Sequence, residues 1–172
     1  MKKLKTPLNE NLLTKLKAGE KIKLSGKIFT ARDAAHERIL SRNSLSFSLE
    51  NQVIYHCGPL VSKKNKDWEI ISAGPTTSTR LSKFISPLLE KYKVSAMIGK
   101  AGLDKTTFTS LKEHKCVYFS YTGGAGALAS KHIEKVKDVY WLDLGEPEAV
   151  WELKIKDFPL IVGIDTFGNS IY

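Results

Sequence analysis

Between residues 21 and 28 apolar and basic side chains alternate, with Ile22, Leu24 and Ile28 set against Lys21, Lys23 and Lys27. A repeat of two is the signature of a strand with one dry face and one wet face. Leu45, Phe47 and Leu49 repeat it, and further apolar runs of strand character lie at 53–55, 68–71, 94–98, 117–119, 139–141, 151–155 and 160–164. Several of these runs stop at a turn signal: Gly58-Pro59, Gly74-Pro75 and Gly99-Lys100. Helical signals are fewer. The clearest places Leu81, Phe84, Ile85, Leu88, Leu89 and Tyr92 on one face at a 3.6-residue period. Shorter helices are expected after Pro7 and Asn9 (Leu12, Leu13, Leu16, with Gly19 as the stop), through Ile39-Leu40, and over 107–114. Another is expected after Gly123-Gly124, with Leu128, Ile133 and Val136 turned inward. Strands outnumber helices and the two alternate only in the middle of the chain. That order predicts an α/β fold, a compact mixed-sheet domain, and not a regular doubly wound one. No G-x-G-x-x-G follows the first strand, so nothing supports a dinucleotide fold.

The 172 residues suit a single domain over 1–172, long enough to bury a substantial core. No apolar stretch approaches the roughly 20 residues a bilayer-spanning helix needs. The basic start, Met1-Lys2-Lys3-Leu4-Lys5, is not followed by an apolar segment and does not read as a secretory signal, so a cytoplasmic protein is expected. Two separated cysteines, Cys57 and Cys116, are too few for a closed zinc or iron–sulfur site. The formal charge of +9 raises the question of nucleic acid. However, the lysines are scattered, and there is no RNP pattern, zinc finger or basic tail, so the reading is a solvated basic surface that attracts anionic substrates.

Three segments end strands with polar groups that a core would not select. In residues 30–38, Arg32 and His36 lie four apart and share a face on a helical turn, although a charged, capped helix start would look the same. In residues 74–80, four hydroxyl residues (Thr76, Thr77, Ser78 and Thr79) and Arg80 follow a Gly-Pro turn and precede the amphipathic helix. Such a segment can cradle an anion or merely cap the helix. The third, Gly99-Lys100-Ala101-Gly102, sets a lysine among small residues past an apolar strand, as a ligand-facing charge or as a plain turn lysine. His56, His114 and His132 read as structural, Gly123-Gly124-Ala125-Gly126 as a phosphate cradle or close packing, and Glu146-Pro147-Glu148 as a solvated turn. Arg32, Arg80 and Lys100 together are the set a small dicarboxylate needs. Arginine grips a carboxylate bidentately, and fixed cations gain most when proton removal piles further charge onto that carboxylate.

These segments occur in a familiar order. Thr30-Ala31-Arg32-Asp33-Ala34-Ala35-His36, Tyr55-His56-Cys57-Gly58-Pro59, Gly74-Pro75-Thr76-Thr77-Ser78, Ile98-Gly99-Lys100, Gly123-Gly124-Ala125 and Leu144-Gly145-Glu146-Pro147-Glu148-Ala149 are followed by Phe158-Pro159-Leu160-Ile161-Val162. The series resembles the β subunit, or C-terminal region, of the class I iron–sulfur fumarase and L-tartrate dehydratase family, over nearly the whole chain. The resemblance departs at Ala101, where glycine is expected, and at Leu81, where methionine is usual.

The resemblance implies a swivelling β/β/α domain and a hydro-lyase active only with an α partner in a hetero-oligomer. It also implies a 4Fe–4S cluster ligated by that α partner and not by this chain, with the open iron acting on the leaving hydroxyl. Arg32, Arg80 and Lys100 would hold the carboxylates of a small dicarboxylate, and residues 76–79 would line the same site. Thr76 and His36 would be the acid/base candidates: threonine needs a basic neighbour, whereas histidine titrates near neutrality. The expected activity is fumarate hydratase. The alternatives are an L-tartrate dehydratase β subunit or a non-catalytic anion-binding module.

Overall fold

The computed structural model describes residues 1–172. In chain order the elements are β1 (Lys2–Lys5), α1 (Glu10–Leu13), β2 (Lys21–Thr30), α2 (Asp33–Ser41), β3 (Val53–Tyr55), β4 (Leu60–Lys64) and β5 (Asp67–Ser72). They continue as α3 (Ser82–Lys91), β6 (Ala96–Gly99), α4 (Phe108–Glu113), β7 (Val117–Ser120), α5 (Gly126–Ser130), β8 (Ile133–Tyr140) and β9 (Val150–Ile164), and a 3-10 turn, Ser78–Leu81, leads into α3.

The main sheet is mixed, as expected. Strands β1, β2, β3, β6 and β7 run parallel in that spatial order, and β9 lies antiparallel to β7 and β8. β9 also pairs with β2, which closes β2, β3, β6, β7 and β9 into a ring. The short runs at 53–55, 96–99 and 117–120 are apolar at nearly every position because both faces are covered. Val53, Tyr55, Ile98, Val117 and Phe119 face the core enclosed by the ring. Ile54, Met97 and Tyr118, one residue out of phase, face a second core under α2 and α3, where Ile39, Ile85 and Leu88 bury their own apolar stripes. The period of two thus divides the strand side chains between two cores.

Three local expectations are corrected. The helix after Gly123-Gly124 covers only Gly126–Ser130, Leu128 is 58% exposed, and Ile133 and Val136 belong to β8. Bulges between Ile133 and Lys135 and between Val136 and Asp138 shift the register, so residues three apart reach the same face and imitate a helical repeat. Residues 45–49 form no ladder. Phe47 is buried by stacking on Phe29 (5.4 Å) and packing on Tyr140 (4.6 Å) instead. The runs at 151–155 and 160–164 are one strand, β9. Pro159 falls in residues 156–160, where the edge between β8 and β7 has no strand neighbour and a missing N–H costs least.

Candidate functional site

Parallel strands gather the ends of their following loops at one rim, and in open α/β sheets ligands bind beyond those carboxyl ends. Arg32 leaves β2, Cys57-Gly58 follows β3, and Lys100 leaves β6. The 74–80 segment is laid across this rim. Cys57 bridges Pro75, Thr77 bridges Lys100, Thr76 N–H donates to His56 O (2.7 Å), and Ser78 N–H donates to Lys100 O (3.0 Å). Three segments that are far apart in sequence therefore meet through backbone hydrogen bonds.

The outer layer of the site is ionic. The Arg80 guanidinium forks onto Asp33, with Nε and Nη2 each 3.0 Å from a carboxylate oxygen, and Nη2 also donates to Thr76 Oγ1 at 3.2 Å. This pairing holds the Asp33 carboxyl below its usual range and raises Arg80. Arg32 Nε lies 3.3 Å from Glu148 Oε1, while Glu148 Oε2 accepts from Ala34 N–H (2.9 Å) in the first turn of α2. Lys100 makes no ion pair. Its stem runs over Gly123, where an added Cβ would come 3.4 Å from Nζ. The expected cations are therefore brought together, but two of the three carry a carboxylate from this chain.

Beneath the ions lies a layer of buried neutral groups. His36 is 0% exposed. Its Nδ1 lies 2.7 Å from Arg32 O, and since a carbonyl only accepts, the proton sits on Nδ1. His36 stacks on Phe84 and meets His56 edge-on at 5.3 Å. His56 is equally buried, and its Nδ1 is 2.8 Å from Ser78 Oγ. Burial lowers both imidazole pKa values, His56 well below the ordinary range with His36 adding to the effect. Ser78, expected among the substrate-lining hydroxyls, points inward and is fully buried. Gly99 makes room for it, since a Cβ there would lie 1.7 Å from Ser78 Oγ. Thr76 and Thr77 stay partly open, and Thr79 Oγ1 donates to Ala101 O (3.1 Å), fastening the loop to the segment after β6.

Sequence reasoning left out Asp33, His56, Gly58 and Glu148. His56 carries no local signal, because its importance lies in which loop its carbonyl and ring reach. Gly58 lies under Arg32, where a Cβ would come 2.5 Å from Arg32 Cδ and 2.7 Å from Pro147 O. Glu148, read as part of a solvated turn, reaches Arg32 and α2 from 114 residues beyond Ala34.

The family described as Fumarase C-terminus matches residues 2–172. The chain belongs to the fumarase C-terminus family. It is 42% identical over 171 residues to a putative L(+)-tartrate dehydratase subunit beta of Methanocaldococcus jannaschii, across 96% of this chain and 88% of that protein. Identity is 39% over 170 residues to a putative fumarate hydratase class I of Geobacillus stearothermophilus, across 98% of this chain but 33% of that longer protein. The L(+)-tartrate dehydratase subunit beta of Escherichia coli (strain K12) is 36% identical over 174 residues, across 99% of this chain and 87% of its own length.

This fumarase C-terminus chain offers no fit for an iron–sulfur cluster among its own residues. Cys57 and Cys116 are both fully buried, one in each core, and burial pushes both thiols up, away from the thiolate a metal needs. No three His, Cys, Asp or Glu side chains converge as ligands anywhere in the fold.

Proposed function

We propose that this chain is the β subunit of an iron–sulfur hydro-lyase that dehydrates a four-carbon 2-hydroxydicarboxylate, L-malate to fumarate in the first reading and L-tartrate in the second. Relatives carry both names, which supports the class more strongly than either substrate. In this reading the cluster and its ligands come from the α partner. The observation that carries the proposal is the convergence of Arg32, Arg80 and Lys100 with the Thr76 hydroxyl at the carboxyl ends of the parallel strands.

Lys100 and the open N–H groups of the two arginines take the substrate carboxylates. Removing the proton beside a carboxylate drives charge into it, so cations fixed before the reaction stabilise the transition state more than the ground state. Thr76 Oγ1 accepts from Arg80 Nη2, which favours a negative oxygen, and its own proton is free to be transferred. Threonine at its ordinary pKa is a weak base, so a basic group from the partner completes the step. His36, sealed from solvent and bonded to the Arg32 carbonyl, orders the arginine and does not meet substrate. Thr77 and Thr79 line and fasten the loop, and Ser78 anchors it from below. No helix is long and apolar enough to cross a membrane, and two free cysteines fit the cytoplasm.

The test is co-expression with an α-type subunit of the same hydro-lyase class, anaerobic purification as a complex, and assay with L-malate and L-tartrate. Fumarate from malate, or oxaloacetate from tartrate, lost when this chain is omitted, is the expected result. Full activity of the partner alone would overturn the proposal and leave an anion-binding module.

A further inference from the structure

The charge at the rim is not what three free cations would give. Asp33 lies between Arg80 and Arg32, and both its oxygens are taken by the Arg80 fork. An acid at the first position of a helix is ordinarily explained by the helix dipole. Here the first-turn N–H of Ala34 already has a carboxylate, Glu148 Oε2, and Asp33 is turned to the arginine instead. The Nε/Nη2 edge of Arg80 is occupied by Asp33, and the second Nη2 proton goes to Thr76. What remains is Nη1, beside the Thr76 hydroxyl.

We infer that Asp33 is a positioning residue: it clamps one edge of Arg80 so that Nη1 faces one substrate carboxylate while Nη2 holds Thr76 Oγ1 in place for proton transfer. This rests on the reading of Arg80 as a substrate ligand given above. A guanidinium on a flexible stem gains little by charge alone, and held at two nitrogens it loses its rotamer freedom before substrate arrives. Glu148 stands to Arg32 more loosely: its Oε1 lies 3.3 Å from Nε as an ion pair without hydrogen-bond geometry, while its Oε2 is bound to α2. Both arginines are thus paired with carboxylates, Arg80 alone through a fork, and the lone cation, Lys100, is left to supply uncompensated charge.

The experiment is a double-mutant cycle in the active α–β complex, with Asp33→Asn, Arg80→Lys and both together, reading kcat and KM for L-malate and L-tartrate separately. Asparagine keeps the shape and loses the fork. We expect kcat/KM to fall about thirtyfold, mostly through a rise in KM, in line with the cost of misplacing a positioning group. In the Arg80→Lys background the same change should cost less than about threefold, because its effect is transmitted through the arginine. An inactive wild-type complex would count against the hydro-lyase reading itself. With an active wild type, the inference is overturned by Asp33→Asn kinetics like the wild type. It is also overturned by losses that multiply in the double variant, or by a fall in KM, which would make Asp33 a competitor of substrate.

Discussion

Under the loop that carries Thr76 and Arg80, His36, His56 and Ser78 are fully buried and uncharged. Above it, Arg32, Asp33, Arg80 and Glu148 are all partly open and all charged. The lower layer is built from close packing and single hydrogen bonds between groups sealed from water, where a lost partner or an added methyl is felt in full. The upper layer is built from ion pairs with side chains 24–48% exposed, where solvent screens the attraction and little stability is at stake. The difference teaches where to look for each kind of damage. Changes below should unfold the chain, and changes above should leave it folded and impair its chemistry.

The largest effect is expected from Gly99→Ala. The new Cβ would sit 1.7 Å from Ser78 Oγ and 3.0 Å from Tyr118 Oη, with strand β6 unable to retreat between its neighbours. Urea unfolding should show a loss of about 3 kcal/mol, the upper part of the range for overpacking. Adding Ser78→Ala removes the nearest atom, so the double variant should be less destabilised than the sum of the two changes. Simple additivity would mean that the loop moves freely over β6.

Acid should expose the lower layer next. Burial holds His36 and His56 below the ordinary histidine value of 6.5. Above that pH both are neutral in either state and stability is complete. As pH falls below it, the unfolded chain takes up protons that the folded chain refuses. Stability then drops with a slope approaching about 1.4 kcal/mol per pH unit for each histidine, until the folded pKa is reached. Unfolding midpoints between pH 7.5 and 5 should show this decline, and His56→Gln should remove about half the slope. A flat profile would mean that the imidazoles are open to water.

A smaller effect, of opposite sign, is expected at Ala101, which holds a left-handed backbone with φ of +65°. Ala101→Gly relieves that strain but gives the unfolded chain more freedom. The net gain should be about 0.5 kcal/mol in the same urea assay. The departure from the family's glycine, visible in the sequence, thus acquires a physical meaning: a tolerated strain beside Lys100.

The strand ends were legible because the apolar runs of β2, β5 and β6 each give way to a polar cluster. That these clusters share one rim shows only in the parallel order of the sheet and the loop laid across it. The amphipathic face of α3 was equally plain. The segment 123–141 misled because bulges gave β8 a repeat of three. The paired state of the arginines was invisible for a different reason. Asp33 read as a helix-start acid, and Glu148 lies more than a hundred residues from Arg32, so only the closed fold shows which carboxylate meets which guanidinium. Ser78 read as one hydroxyl of four, and nothing in a run of hydroxyl residues tells which one the next strand will bury.

Lys100→Met tests the division between the layers most directly, because methionine keeps the stem that lies over Gly123 and removes only the one unpaired charge at the rim. In the α–β complex, kcat/KM should fall by about a hundredfold, the worth of a charge-assisted contact of roughly 3 kcal/mol. The unfolding free energy should change by less than about 0.5 kcal/mol, as for a surface substitution. Unaltered kcat/KM, or a loss of activity matched by a loss of stability, would contradict the account.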